Sequence, residues 1–174
     1  MKKSTLIASI AFAFVLLLST NTFAQKFSKL DASPLDIAYL RASRNETPTA
    51  KVIYSRPQLK GRSLDKLAPK GKVWRTGANE AAEIKFYKDV NFGGKPVKAG
   101  TYSLYTIPGD KEWTVILSND TDVWGAYNYK DTNDVVRVKA PVQKGESVEA
   151  FSIAFDAGKM FLAWDTVRVA VPVN

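Results

Sequence analysis

The sequence predicts an all-β protein, an antiparallel β-sandwich or jelly-roll-like single domain that follows a cleaved signal peptide. Two observations lead to this fold class. From Val52 onward, short apolar or alternating runs are separated by turn residues, and helical periodicity is nearly absent. Local turns join consecutive runs without intervening helices, which favours antiparallel pairing. Removing 24 residues from 174 leaves 150, enough for two packed sheets.

The first 24 residues have the three parts of a secretory signal peptide. Two lysines precede an apolar run from Leu6 to Leu18, and a polar stretch then ends at Ala24. We expect cleavage after Ala24, which leaves residues 25–174 as the mature domain. The apolar run is shorter than the roughly 20 residues of a membrane-spanning helix, so a retained membrane anchor is the less favoured alternative.

Two residue types are missing from the composition, and their absence excludes several function classes. The chain has no Cys, so we expect no disulfides and no lipoprotein anchor. The signal peptide itself predicts an exported product, periplasmic or extracellular. It has no His, which excludes serine–histidine triads and histidine-based zinc or copper sites. The formal charge of +8 is dispersed along the chain, so nucleic acid is not an expected partner.

The individual strands follow from the alternation of apolar residues. Residues 26–42 are ambiguous, because a strand and the start of a helix after Pro34 both fit them. Tight reversals are predicted at residues 91–94, 108–111 and 156–159, where Gly, Asn, Asp and Pro concentrate. We predict strands over residues 51–55, 83–90, 101–107, 113–118, 135–140, 147–156 and 159–171.

The last predicted strand contains a conflict at Asp165. Val167 and Val169 share an inward face, and counting back by two places Asp165 on that face. An unpaired buried carboxylate is costly. We therefore predict a bulge or sharp bend at residues 164–166, and a buried functional Asp165 is the alternative.

The segment 73–81 differs from its surroundings because it is neither alternating nor helical. Arg75 has the donors to bind a carboxylate or phosphate, and Glu80 is a candidate general acid or base. Asn79 is a candidate for fixing a ligand's orientation, and Trp74 for stacking on a sugar. The alternative is structural: Arg75 pairs with Glu80 to brace an irregular connection, and Trp74 belongs to the core.

Other clusters fit structural roles better than sites. The aromatic residues between 102 and 129 suit a core, although the Trp-Gly-Ala-Tyr motif at 124–127 follows a polar loop and is a candidate for a binding rim. The Asp and Asn residues at 118–122 and 131–134 lack calcium-loop spacing and fit turns. We predict no metal site and no cofactor.

Several motifs resemble, in order, an uncharacterised family of exported bacterial proteins known as domain of unknown function 2911. The resemblance implies export and one β-rich domain, and it supplies no activity, cofactor or catalytic residue. Residues 31–49 depart from its usual pattern, since 41–47 form a polar stretch. The motifs are YSRP (54–57), KGR (60–62), GKVWRTGANEA (71–81), AGTYSL (99–104), TIPG (106–109), EWTVI (112–116) and WGAY (124–127).

The functional hypothesis is a non-catalytic binding or accessory module of the cell envelope. Its partner is an envelope component, a small ligand, a glycan or a protein, and we expect a monomer without a membrane span. The alternative is a carboxylate-based carbohydrate hydrolase with Glu80 as acid or base beside Asp165 or Asp122. A purely structural accessory protein is the third hypothesis. The predicted ligand-binding residues are Arg56, Arg62, Trp74, Arg75, Asn79 and Glu80.

Overall fold

The computed structural model describes residues 25–174, so the predicted signal peptide and its cleavage site lie outside or at the border of the described residues. Residues 25–30 are irregular and exposed. No helix within 25–174 is long and apolar enough to cross a membrane. The strands are β1 Leu35–Leu40, β2 Ala50–Ser55, β3 Ala82–Phe86, β4 Val90–Phe92, β5 Lys95–Val97, β6 Gly100–Ile107, β7 Glu112–Ser118, β8 Asp134–Asp156 and β9 Lys159–Pro172. One short α-helix, α1, spans Leu64–Leu67, and a 3-10 helix spans Asp131–Asn133.

Seven of the strands form one antiparallel sheet in the order β1-β2-β3-β6-β7-β8-β9, and β4 and β5 form a separate hairpin. The all-β, antiparallel fold class predicted from the sequence is therefore confirmed. The ambiguous region after Pro34 is a strand, because β1 pairs with β2 along its whole length from Leu35 opposite Ser55 to Leu40 opposite Ala50.

Strand β8 makes the sheet curl. It contains 23 residues, and two separate strands had been predicted within it. Its first part pairs with β7 up to Pro141, and its second part pairs with β9 from Val142 onward. The register with β9 shifts on both sides of Val148, where Asp165 lies opposite with a φ of 47°. The predicted irregularity at Asp165 is thus confirmed, and it lets one continuous strand bend between two layers.

The curl brings the middle of β8 against the chain that follows β2. The Leu59 N–H donates to the Glu149 carbonyl at 3.0 Å, and the Phe151 N–H donates to the Pro57 carbonyl at 2.9 Å. The Tyr54 hydroxyl adds a bond from the Ile153 N–H at 2.9 Å. These bonds satisfy backbone groups that an open sheet would leave unpaired at this position.

The core lies inside the curl. Its centre is an aromatic cluster of Trp74, Trp113, Phe151 and Trp164, in which Trp74 stacks on Trp164 at 5.3 Å and meets Phe151 edge-on at 4.9 Å. Trp113 contacts Trp74 edge-on from the other side at 6.2 Å. We name these four residues the inner cluster. Because the chain has no cysteines, packing of this kind has to stabilise the domain without disulfides.

The predicted reversals are observed. Gly93 and Gly94, with φ of 58° and 82°, form the two-residue turn between β4 and β5. Ala157 and Gly158 do the same between β8 and β9, with φ of 45° and 70°. Two consecutive positive φ values define the turn type whose twist matches antiparallel strands. Residues 108–111 join β6 to β7.

Candidate functional site

The irregular segment predicted at 73–81 is a loop that leaves the sheet and returns to it beside β6. Trp74 and Thr106 exchange backbone hydrogen bonds of 2.7 and 2.9 Å, and β3 begins at Ala82 opposite Leu104. The Ala82 N–H donates to the Arg75 carbonyl at 3.0 Å and closes the base of the loop. Residues 75–81 therefore project from a fixed base on the sheet.

Within this loop, the backbone of Thr76 is strained. Its φ is 54°, a region that β-branched residues rarely adopt. Such a conformation costs on the order of 1–3 kcal/mol and persists only where the surroundings impose it. Thr76 is fully buried, and its hydroxyl lies 3.3 Å from the Thr106 hydroxyl. Packing and this polar contact thus hold the loop in one conformation.

A second loop, between β7 and β8, lies against the first. The Ala81 N–H donates to the Val123 carbonyl at 3.0 Å, and the Gly125 N–H donates to the Asn79 carbonyl at 3.0 Å. Between these bonds Glu80 lies opposite Trp124 in an antiparallel bridge. We name residues 75–81 and 119–130 together the paired loops, because this short ladder joins them through their backbones.

The paired loops cover a small apolar cluster on the outer face of the sheet. Ala81, Tyr105 and Ile116 are buried there, and Tyr129 packs on Tyr105 edge-on at 5.0 Å. The cluster is separate from the inner cluster and gives the loops a packed support. This support distinguishes the paired loops from a mobile surface connection.

A polar bracket fixes the end of the second loop. The Tyr129 hydroxyl donates to Oδ2 of Asp134 at 2.6 Å, and Arg137 donates to both groups, each at 2.6 Å. Burial, followed by the bond to the Asp134 carboxylate, raises the pKa of Tyr129 far above its usual range. The hydroxyl therefore remains a donor at every physiological pH.

Two large aromatic rings of the second loop face solvent. Trp124 is 60% exposed and Tyr127 is 78% exposed, whereas Trp74 in the inner cluster is 7% exposed. Gly125 between them has a φ of 71°. A Cβ atom at this glycine would lie 2.7 Å from a ring carbon of Tyr127 and 3.1 Å from Nη1 of Arg75. The Tyr127 ring and the Arg75 guanidinium therefore flank the same point.

The Arg75 side chain has no partner for its buried nitrogen. Its Nε is buried without a hydrogen bond. In the described part of the chain, Arg75 takes part in no ion pair, so the pair with Glu80 that was one alternative from the sequence is not formed. Glu80 itself is exposed.

Two grooves border the ladder. One, of about 220 Å³, is lined by Arg75 and Tyr127 together with Val73, Trp74 and Ala126. The other, of about 290 Å³, contains three carboxylates, those of Glu80, Glu83 and Asp122, on a wall that includes Leu35 and Ile53. The Asp122 N–H donates to Oε1 of Glu83 at 2.7 Å. Over residues 25–174, no three acidic side chains are arranged to hold a metal ion.

The remaining predicted site residues lie elsewhere. Arg56 bridges the curl: it pairs with Asp36 at 3.1 Å and donates to the Phe151 carbonyl at 3.1 Å. Arg62 donates to two backbone carbonyls of its own loop at 2.7 and 2.9 Å. Asp165 accepts a 3.2 Å bond from the Ser147 hydroxyl. The structure thus brings Arg75, Asn79 and Glu80 together on the paired loops and distributes the others through the framework.

The exposed pair Trp124 and Tyr127 was not among the predicted ligand-binding residues. Their signal in the sequence was the position of the Trp-Gly-Ala-Tyr motif after a polar, Asp-rich stretch, which marks a surface loop. The hydrolase alternative named Asp122 as one possible partner of Glu80, and these two carboxylates do line the same groove.

Comparison with known proteins identifies a family and nothing more specific. The family model described as Protein of unknown function (DUF2911) matches residues 37–173. No curated protein and no solved structure matches the chain. The match spans all the strands described above except the first two residues of β1.

Proposed function

The chain belongs to the DUF2911 family, and from the geometry of the paired loops we propose that it is a non-catalytic module that binds a glycan of the cell envelope. Arg75, Asn79, Glu80, Trp124 and Tyr127 are the proposed binding surface. We further propose that the chain is exported by its N-terminal signal peptide and works as a monomer in the periplasm or outside the cell.

The observation that carries this proposal is the exposure of the Trp124 and Tyr127 rings on the paired loops, with the half-buried Arg75 beside Tyr127. Exposed aromatic area is unfavourable in water, and aromatic side chains combine an apolar face with a polar edge. Sugar rings have apolar C–H faces and polar rims that match this combination. Arg75, Asn79 and Glu80 lie on the loop whose backbone pairs with the loop of these rings, and Nη1 of Arg75 lies near the Tyr127 ring.

The rigidity of the paired loops also supports binding. The ladder at Glu80, the bracket at Tyr129 and the strained Thr76 hold the loops before any ligand arrives. A site that is already ordered loses less conformational entropy on association. Arg56, Arg62 and Trp74 contribute to this framework through the contacts described above.

The proposal is tested by screening the full chain against neutral and acidic oligosaccharides by isothermal titration calorimetry. We expect at least one saccharide to bind, and Trp124→Ala and Tyr127→Ala each to weaken it about tenfold or more, because stacking on an aromatic ring is lost. Tyr87→Ala is the matched control, since Tyr87 is an exposed tyrosine remote from the paired loops. Binding that Tyr87→Ala weakens as much as Tyr127→Ala would contradict the proposal, as would a panel with no binding at all.

A second candidate function is a carbohydrate hydrolase, favoured by the groove that Glu80 shares with Asp122. Glycoside hydrolysis uses a pair of carboxyl groups that face the same groove. Asp122, and not Asp165, is the carboxylate that shares a groove with Glu80. Release of reducing ends from a bound oligosaccharide, lost in Glu80→Gln and in Asp122→Asn but kept in Glu112→Gln, would support it. If a bound oligosaccharide releases no reducing ends after hours of incubation with the protein, the hydrolase function is excluded.

A further inference from the structure

We propose that the glycan bound by the paired loops is acidic, and that Arg75 binds its carboxylate while Tyr127 covers the same sugar ring. This inference rests on the proposed function and adds the chemical class of the ligand. A uronic acid, a sugar with one carboxylate on its ring, is the class that fits.

The first support is the guanidinium of Arg75. A guanidinium carries five N–H donors and no acceptor, and it remains charged at all physiological pH values. In the described residues Arg75 has a buried Nε without an acceptor and no carboxylate within ion-pair distance. A buried charged donor without a partner is costly. A carboxylate from outside the chain cannot reach the buried Nε, but it can accept from the two Nη groups at the end of the guanidinium, whose Nη1 lies near Tyr127 on this groove, in the planar two-bond geometry that arginine favours.

The second support is the position of Tyr127. Its ring and Nη1 of Arg75 are both within about 3 Å of the point where a Cβ of Gly125 would stand. Glycine at this position leaves room that any other residue would fill, so the ring and the charge lie side by side. A sugar that packs on the ring therefore has its substituents next to the guanidinium.

The size of the groove limits the ligand. The groove beside Arg75 is about 220 Å³ and opens to solvent at Tyr127. Pockets for drug-sized molecules measure about 300–1,000 Å³, so this groove suits a single sugar ring within a longer chain.

Charge sets the orientation. The carboxylates of Glu80, Glu83 and Asp122 line the other groove that borders the ladder and repel an anion there. The only charged side chain on the Tyr127 groove is that of Arg75, within the described residues. The net charge is +8 for the full sequence and falls to +6 when Lys2 and Lys3 leave with the signal peptide (8 − 2), and this positive charge attracts acidic polymers in general. The carboxylate that the site recognises therefore belongs at Arg75 and not in the groove of Glu80.

The experiment compares an oligogalacturonate and an oligomannuronate with their methyl esters, by calorimetry on the full chain. Each ester keeps the sugar ring and the chain length and removes the charge. We expect at least one acid to bind about tenfold or more tightly than its ester, about 1.4 kcal/mol or more. Arg75→Gln is expected to abolish that difference and Arg75→Lys to retain part of it, because a lysine is a point charge without the two-bond geometry.

Arg44→Gln is the matched control, because it removes the same charge from an exposed residue of the loop after β1. Circular dichroism and thermal unfolding establish that each variant is folded. The comparison of acid with ester in the unaltered chain needs no variant, so it decides the matter even if Arg75→Gln does not fold. Equal weakening by Arg44→Gln and Arg75→Gln would overturn the assignment of Arg75.

The two proposals fail in different ways. If acid and ester bind equally and Tyr127→Ala weakens both, the site binds glycans but the inference of an acidic ligand is overturned. If a sulfated saccharide binds more tightly than either uronate, the inference that Arg75 binds a carboxylate is overturned. If no saccharide binds in neutral or acidic form, the proposed function itself is overturned.

Discussion

Trp74 and Arg75 are neighbours in the sequence, and the structure gives them opposite environments. Trp74 is the centre of the inner cluster, where Trp113, Phe151 and Trp164 surround its ring. Arg75 belongs to the paired loops, where the large rings of Trp124 and Tyr127 are exposed to solvent. Both regions contain several large aromatic side chains. They differ in whether other parts of the protein cover those side chains or leave them in solvent.

The difference shows what decides whether an aromatic residue belongs to the core. Trp74 pairs with Thr106 on the edge of β6, so its side chain is set by the alternation of the sheet. Trp124 also pairs, but with Glu80 of another loop, and no layer covers that ladder. Backbone pairing alone therefore does not bury a side chain; a second layer has to lie opposite.

The strongest test of this comparison replaces the two tryptophans in turn. Trp74→Ala is expected to lower the free energy of unfolding by about 3–5 kcal/mol, because it removes the centre of a packed aromatic cluster. Trp124→Ala is expected to change it by no more than about 0.5 kcal/mol, as an exposed side chain does. Urea denaturation followed by circular dichroism measures both. Similar losses in the two variants would mean that Trp124 is covered in solution.

The next effect concerns the bracket that supports the paired loops. Asp134→Ala leaves Tyr129 and Arg137 without their shared acceptor and is expected to destabilise the fold by about 1–3 kcal/mol. Hydrogen exchange is expected to speed up in residues 119–130 and to stay unchanged around Trp164. Equal acceleration in both regions would show that the paired loops do not open on their own.

A smaller effect is expected from Gly125→Ala. The φ of 71° costs a residue with a side chain about 1–2 kcal/mol, and the added methyl group meets the Tyr127 ring. We expect this variant to fold, to displace Tyr127 from Arg75 and to lose saccharide binding. Gly94→Ala is the control, since Gly94 also has a positive φ but has open space around its Cβ position. Unchanged binding in Gly125→Ala would separate Tyr127 from the site.

The smallest effect is on the free energy of unfolding at alkaline pH. It involves one tyrosine on each face of the sheet. Burial raises the pKa of Tyr54, inside the curl, and that of Tyr129, beneath the paired loops. A raised pKa means that the unfolded chain loses these protons first. The stabilising contribution is therefore complete below about pH 10 and is lost as the pH rises through the raised values.

Urea midpoints measured from pH 8 to about pH 11.5 test this expectation. The midpoint is expected to fall above about pH 10, and less steeply in Tyr54→Phe and Tyr129→Phe. If both variants kept the full slope, other groups would account for it.

The sequence predicts those parts of the fold that depend on residues close to one another along the chain. Alternation predicted most strands, clusters of Gly, Asn, Asp and Pro predicted the hairpins, and the place of Asp165 on the same face as the inward valines predicted the irregularity in β9. These features depend on neighbouring residues, and the physical preferences of neighbours suffice to predict them.

The site depends on contacts that the sequence does not display. The ladder between Glu80 and Trp124 joins two loops that no periodicity connects. The unity of β8 was not predicted because Pro141 and Gly145, which usually interrupt a strand, lie between the two strands predicted within it. Arg75 was a candidate from the sequence, but whether it pairs with Glu80 depends on the backbone path between them, which includes positive φ values at Thr76 and Asn79 that no local pattern predicts.

The ladder at Glu80 has a consequence for finding the ligand. Its two halves come together only when β3, β6, β7 and β8 have all assembled, so an unfolded chain has no binding surface. A saccharide that binds there must shift the folding equilibrium by RT ln(1 + [L]/Kd), about 2.7 kcal/mol at a hundredfold excess over Kd. The melting temperature is therefore a readout of occupancy, and a library of sugars can be ranked with no label and no enzymatic assay.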